Sequence, residues 1–257
     1  MSMRDKQLQE VSSLLKQKII SKLKNYTPET QSMPFHIRLL GKDRMAIFSF
    51  IHSINTMLGQ SIFEKAAEII GKRNFHEIKA SYSFKGYISD KAILEIEDIM
   101  EGLRSVTITA DERKEDIRIK TASNKGDKGI IKKTKVDLFA IKGNEEYYFE
   151  IKTAKPNIDI FDKTKTKLLR WKAMRYSINP SVRVNTYVCI PYNPQEPKPY
   201  NRWTLQGLYD LKKEVLVAEE FWDFIGGKGS YNDLLNVFEK TGIELRDEID
   251  KKFSEFK

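Results

Sequence analysis

The sequence predicts an α/β fold: a central mixed β-sheet of four to five strands flanked by helices, with helical N-terminal and C-terminal additions. Three observations predict it. Residues 135–152 hold two runs in which successive side chains alternate in character, separated by Gly143-Asn144, a pattern that reads as a hairpin. Residues 159–176 then carry helical spacing, and VRVNTYVCI (182–190) reads as a buried strand, so hairpin, helix and strand form a crossover back into one sheet. Helical periodicity also recurs over 4–25, 43–57 and 90–104.

In chain order, residues 4–25 place Leu8, Val11, Leu14, Leu15, Ile19, Ile20 and Leu23 on one face of an amphipathic helix whose other face is rich in lysine. Residues 25–34 read as a linker-like loop. A second helix covers 43–57, and Gly59 is expected to break it. The stretch GQSIFEKAAEIIGK follows as another helix, with Ser61 as N-cap and Glu64 three residues on in the capping-box position. Residues 74–88 lack clear periodicity and read as a loop with a short strand. After the 90–104 helix, SVTITA (105–110) and DIRIK (116–120) read as strands around a charged turn. Beyond 190, PYNPQEPKPYNRW (191–203) is a long loop of the kind that often carries function. EEFWDFIGG (219–227) is a short helix closed by glycines, and 234–256 finish in helical turns. The whole of 1–257 is expected to form a single domain, with 1–34 as helical arm and linker and 55–230 as the core region.

The hairpin carries the chemistry. If Gly143-Asn144 is the turn, cross-strand partners have numbers summing to 287, which sets Asp137 opposite Glu150. Opposed like charges are unfavourable, and a divalent cation between them removes the penalty. Lys152 points to the same face as Glu150 and is placed to stabilise charge on a phosphate or help position a nucleophile. The alternative is a surface hairpin with alternating charges; the acid-opposite-acid register and the apolar flanks weigh against it.

Asp137 followed by Glu150-Ile151-Lys152 after a short turn resembles the PD-(D/E)xK motif of the restriction-endonuclease-like nucleases, with Val136 where the motif has proline. The segment EIKTAKPN (150–157) is most similar to the second motif strand of type II restriction endonucleases, and YNP together with EEFWDFIGG to their C-terminal half. The resemblance implies that Asp137, Glu150 and the Ile151 carbonyl hold Mg²⁺, for which Mn²⁺ can substitute, and that Lys152 acts on the attacking water or the transition-state charge. It also implies an acid on a helix before the hairpin, for which Glu64 is the first candidate and Glu68 the second. The implied activity is sequence-specific hydrolysis of double-stranded DNA leaving 5′-phosphate ends, with a two-fold homodimer on palindromic sites and a cognate DNA methyltransferase as genetic partner. A nuclease of the same fold with little sequence preference, working in repair or recombination, is the alternative, as is an inactive DNA-binding module.

Composition agrees with a polyanionic partner. The 257 residues carry a net charge of +9, with a pI near 9.3. Lysines 120, 125, 128, 132, 133 and 135 against Asp127 give 120–135 a net +5, and 161–176 has the same net charge. Lys125, Lys128, Lys132 and Lys133, then Lys155, and Lys163, Lys167 and Arg170 on one helical face, are the candidates for backbone phosphate contacts; a merely solvated role stays open for both segments. Arg113, Asn124, Asn193, Asn201 and Arg202 have the donors and acceptors to read bases.

The single cysteine, Cys189, excludes an intrachain disulfide framework and is expected to be a buried small hydrophobe. His36, His52 and His76 show no metal-ligand spacing, which argues against a histidine-metal nuclease. No apolar run reaches membrane-spanning length and no signal-peptide pattern is present, so a cytoplasmic setting is expected.

Overall fold

The structure is a computed structural model and describes residues 3–28, 33–127, 129, 132–152, 157–201, 205 and 207–256. In chain order the elements are α1 (Met3–Asn25), α2 (Pro34–Leu40), α3 (Lys42–Met57), a π-helical turn (Leu58–Ile62), α4 (Phe63–Gly71), β1 (Glu77–Gly86), α5 (Asp90–Arg104), α6 (Glu112–Ser123), β2 (Lys132–Lys142), β3 (Glu145–Ile151), α7 (Ile158–Tyr176), β4 (Arg183–Ile190), β5 (Val215–Val217), α8 (Glu219–Gly226), α9 (Ser230–Glu244) and α10 (Arg246–Ser254). They divide into two compact units: Met1–Ile70 with Gly229–Lys257, and Gly71–Lys228.

The first unit is helical. Val11 and Leu15 of α1 are buried, and Leu23, Ala46, Phe50 and Phe256 form an apolar cluster in which Tyr26, Phe50, Phe253 and Phe256 meet edge-on or tilted. Gly59 does not end the second helix as expected. The backbone runs on through the π-helical turn into α4, and Ser61 lies inside that turn with its Oγ donating to the Met57 carbonyl at 3.0 Å. Ser61 is therefore no N-cap, and the capping-box reading of Glu64 is withdrawn.

The second unit holds a five-stranded mixed sheet in the order β1-β2-β3-β4-β5. The β1–β2 and β2–β3 pairs are antiparallel; β3–β4 and β4–β5 are parallel. Helix α7 makes the expected crossover between β3 and β4. It begins at Asn157, whose side chain accepts the N–H of Ile160, and buries Phe161, Leu168, Leu169, Trp171 and Met174. Trp171 is wholly buried, its ring 6.0 Å from that of Tyr148 and its Nε1–H donating to Thr134 Oγ1 at 3.0 Å. Burying a ring of this size contributes on the order of 2–3 kcal/mol. On the other face, Phe224 of α8 packs on Tyr147, Phe149 and Tyr187, and Cys189 is buried as expected.

Two expectations for this unit are corrected. Residues 105–110 and 116–120 are not strands: 105–110 form turns and irregular backbone, and 116–120 lie within α6. The Asp111 side chain caps α6 by accepting the Lys114 N–H at 3.2 Å, and Glu115 reaches back to the Asp111 N–H at 3.1 Å. Conversely, 77–86 is a full ten-residue strand that pairs with β2 along its length except at Ser81.

The charge on α7 is also distributed unexpectedly. Lys165 is fully buried, its Nζ 2.7 Å from both oxygens of Glu214 and 2.5 Å from Glu115 Oε2. Lys172 is 2% exposed and donates to Glu112 and Asp116 at 2.5 and 2.8 Å. These two lysines, counted above in a basic helix, are neither solvated nor open to a phosphate. They bind α7 to α6 and to the segment before β5.

Candidate active site

The hairpin turn is where the sequence places it. Gly143 adopts φ +61°, which glycine takes without steric cost, and Lys142 faces Glu145. The ladder keeps the 287 register up to Leu138 opposite Phe149. One step further lie Asp137 and Glu150, and there regular pairing gives way. Asp137 Oδ2 accepts the backbone N–H of Ile151 at 2.8 Å, so a carboxylate takes a ladder donor. The other edge of β2 is interrupted at the same level: the β1–β2 register skips Ser81, which stands at φ +53° between paired Ala80 and Tyr82. Beyond Ile151 the strand stays anchored to β4 through Lys152 N–H to Cys189 O at 2.9 Å.

Phe139 and Tyr148 are cross-strand partners with rings 5.0 Å apart on the α7 side of the sheet. Asp137 and Glu150 are each two residues from one of these, so they share that face. Glu150 is 3% exposed, and its two oxygens each receive an ammonium: Lys152 at 2.6 Å on Oε1 and Lys167 of α7 at 2.6 Å on Oε2. Burial pushes the Asp137 carboxyl above its ordinary pKa and the charge of Glu150 pushes it further, while the Ile151 N–H, Lys152 and Lys167 pull it down. A buried Asp137 beside the Glu150 carboxylate supplies the oxygen ligands that a hard divalent ion takes.

Comparison with known proteins places the chain in a family. The family described as "Type II restriction endonuclease, HinfI" matches residues 3–242. The chain belongs to this family. Among curated relatives, the type II restriction enzyme MjaII of Methanocaldococcus jannaschii is 27% identical over 224 residues, covering 77% of this chain and 59% of the relative. HgiCII of Herpetosiphon aurantiacus, also a type II restriction enzyme, is 25% identical over 240 residues, covering 85% and 81%. HgiEI of the same organism is 24% identical over 243 residues, covering 92% and 86%. This chain thus spans 59% of the length of MjaII and more of the other two. No solved structure matches it significantly. The HinfI-family match starts well before the core region expected over 55–230 and takes in α1 to α4 and most of α9, but not α10.

Within this HinfI-family chain the structure brings Asp137, Glu150, Ile151 and Lys152 together and adds Lys167, which sequence reasoning had put among the phosphate contacts. Its distance of 15 residues from Lys152 in sequence gave no signal that both would reach one carboxylate. Glu64, 5% exposed, and Glu68 lie on α4 in the first unit. Among the described residues, no cluster of three His, Cys, Asp or Glu side chains forms. Lys125, Lys132, Lys133, Lys163 and Arg170 are exposed; Lys128 and Lys155 lie outside the described residues. Lys132 and Arg170 line one groove of about 550 Å³ together with Arg104, but Glu97, Asp98 and Glu101 line it too. Of the base-reading candidates, Asn124 and Asn193 spend their amides on the carbonyls of Lys120 and Lys198 at 2.8 and 2.7 Å. Asn201 lies in a loop, Arg113 is exposed on α6, and Arg202 lies outside the described residues.

Proposed function

We propose that this chain is a type II restriction endonuclease that hydrolyses phosphodiester bonds of double-stranded DNA at a specific sequence, leaving 5′-phosphate and 3′-hydroxyl ends. The observation that carries the reading is that Asp137 and Glu150 lie on one face, one step past the last ladder pair of the hairpin, with Lys152 2.6 Å from Glu150. Membership of the HinfI family and the names of the relatives support it.

Asp137, Glu150 and the Ile151 carbonyl would hold Mg²⁺, with Mn²⁺ as a substitute. The N–H and C=O of a strand residue leave by the same edge, so the Ile151 carbonyl is directed to the side from which Asp137 takes its N–H. Bound there, the ion lowers the pKa of a coordinated water and neutralises charge on the phosphate. Lys152 orients the attacking water or meets the growing negative charge. Glu64 is carried forward as the further acid. Lys125, Lys128, Lys132, Lys133, Lys155, Lys163 and Arg170 are proposed phosphate contacts that position the duplex without reading it.

In this reading the two units act as one nuclease domain, two copies act on a palindromic site, and a DNA methyltransferase protects the host sequence. No described helix is long and apolar enough to cross a membrane, and a cytoplasmic setting suits a DNA substrate.

The test is incubation of the purified chain with phage DNA and Mg²⁺, beside Asp137→Ala and Lys152→Ala. Discrete fragments from the wild type are expected, with loss of about a hundredfold or more in the variants. A smear would favour a nuclease of the same fold without sequence preference. Tight DNA binding with no cleavage in Mg²⁺ or Mn²⁺ would leave a binding module and sink the enzymatic reading.

A further inference from the structure

The motif explains one lysine at Glu150, and the structure has two. Lys152 comes from the same strand, two residues on. Lys167 comes from the middle of α7 and takes the second oxygen, Oε2, at the same 2.6 Å. Its approach is set by buried structure. The Lys167 ammonium lies 4.9 Å from the centroid of the Trp171 ring, which is itself wholly buried and fastened to Thr134. Lys165 and Lys172, both inaccessible, tie the same helix to Glu115, Glu214, Glu112 and Asp116. Lys167 is thereby presented to the sheet rather than left to swing with a free surface helix, although a third of its side chain still meets solvent.

Both oxygens of a 3%-exposed carboxylate are thus capped by ammonium groups. Each oxygen keeps a further lone pair, but two ammonium groups 2.6 Å from a buried carboxylate oppose the approach of another cation, so a divalent ion ligates Glu150 more readily once one of these contacts is given up. Of the two side chains, Lys167 is the more exposed, 33% against 24%, and its departure costs less desolvated contact. The anion available to reward that departure is a phosphate of bound DNA.

We propose that Lys167 is a second active-site lysine: it holds Glu150 as counter-ion in the metal-free protein, yields Oε2 to the divalent cation, and then pairs with a phosphate of the substrate. Lys167 is a positioning residue for Glu150 first and a substrate contact second, a role distinct from that of Lys152. The inference rests on the nuclease reading above and adds a competition that the motif alone does not contain.

The test uses the full chain and calcium, which occupies oxygen-ligand sites, titrated calorimetrically without DNA. Lys167→Met is expected to bind Ca²⁺ about fivefold more tightly than the wild type, because a competing cation is gone. Lys167→Arg, which keeps the charge, stays near the wild type. In single-turnover cleavage of phage DNA at saturating Mg²⁺, Lys167→Met is expected to be about tenfold slower. Tighter metal binding with slower cleavage is a split that loss of folding does not produce. Unchanged or weaker Ca²⁺ binding by Lys167→Met, or metal affinity and cleavage falling together, would overturn the proposal. Asp137→Ala separates the two levels. If the wild type binds Ca²⁺ and cleaves, Asp137→Ala does neither and Lys167→Met matches the wild type, only this inference fails. If the wild type neither binds nor cleaves, the nuclease reading fails with it.

Discussion

Replacing Lys165 by methionine removes a fully buried ammonium from between two carboxylates that are themselves 5% and 2% exposed at the side chain. Methionine is close in length, so the change is mainly one of charge. Glu214 keeps a backbone N–H from Asp210 at 2.8 Å and Glu115 keeps one from Asp111 at 3.1 Å, but neither replaces a cation. Breaking a buried ion pair by deleting one partner typically costs about 3–5 kcal/mol, and here two acids are stranded, so a loss at the upper end is expected. That is a large share of a total stability of roughly 5–15 kcal/mol.

The loss should depend on pH in a defined sense. Burial raises the Glu115 carboxyl above its ordinary pKa, Glu214 raises it further, and Lys165 pulls it down. Without Lys165 the carboxyl rises more. Folding then favours its protonated form, so the deficit is full above the raised value and shrinks as pH falls through it. Urea unfolding of wild type and variant at about pH 8 and about pH 5 should show the gap narrowing on acidification. Adding Glu115→Gln and Glu214→Gln should restore at least half of the loss. A cost below about 1 kcal/mol at the higher pH, or a gap that widens in acid, would refute the reasoning.

Asp137→Asn should abolish cleavage yet leave the metal-free protein more stable at neutral pH, measured by thermal melting in EDTA. The raised Asp137 carboxyl contributes least when ionised, so the advantage of asparagine should vanish as pH falls through the Asp137 value; a destabilised variant at neutral pH would contradict this. Lys132→Ala with Lys133→Ala should weaken DNA binding on all sequences alike and reduce the slope of log affinity against log salt by about 2. Fluorescence anisotropy across a salt series checks this, and a change in sequence preference would count against a phosphate role.

The sequence by itself determined what local rules control. Gly143-Asn144 and period-2 alternation set the β2–β3 register, because turn geometry and strand pleat act over a few residues, and that register alone put Asp137 level with Glu150. The α5 and α7 spans followed from apolar spacing, and a helix after a hairpin strand left a parallel return to β4 as the outcome. Tertiary structure decided the rest. In DIRIK, Ile117 and Ile119 suit a strand as well as a helix; the Asp111 cap and the core contact that buries Ile119 but leaves Ile117 57% exposed select α6. Residues 77–86 do alternate Ile78, Ala80, Tyr82 and Phe84 with polar neighbours, a local strand signal diluted by the irregular residues on either side, and pairing along β2 makes the strand. Charge was the least legible feature, because a lysine's letter does not say whether it meets water, a phosphate or a buried carboxylate. Lys165 and Lys172 are sealed in ion clusters because α6 and the 210–214 segment bring acids to them, and Lys167 reaches Glu150 because α7 is held in that rotation. Such pairings depend on groups 17 to 60 residues apart in sequence, where no local pattern can specify them.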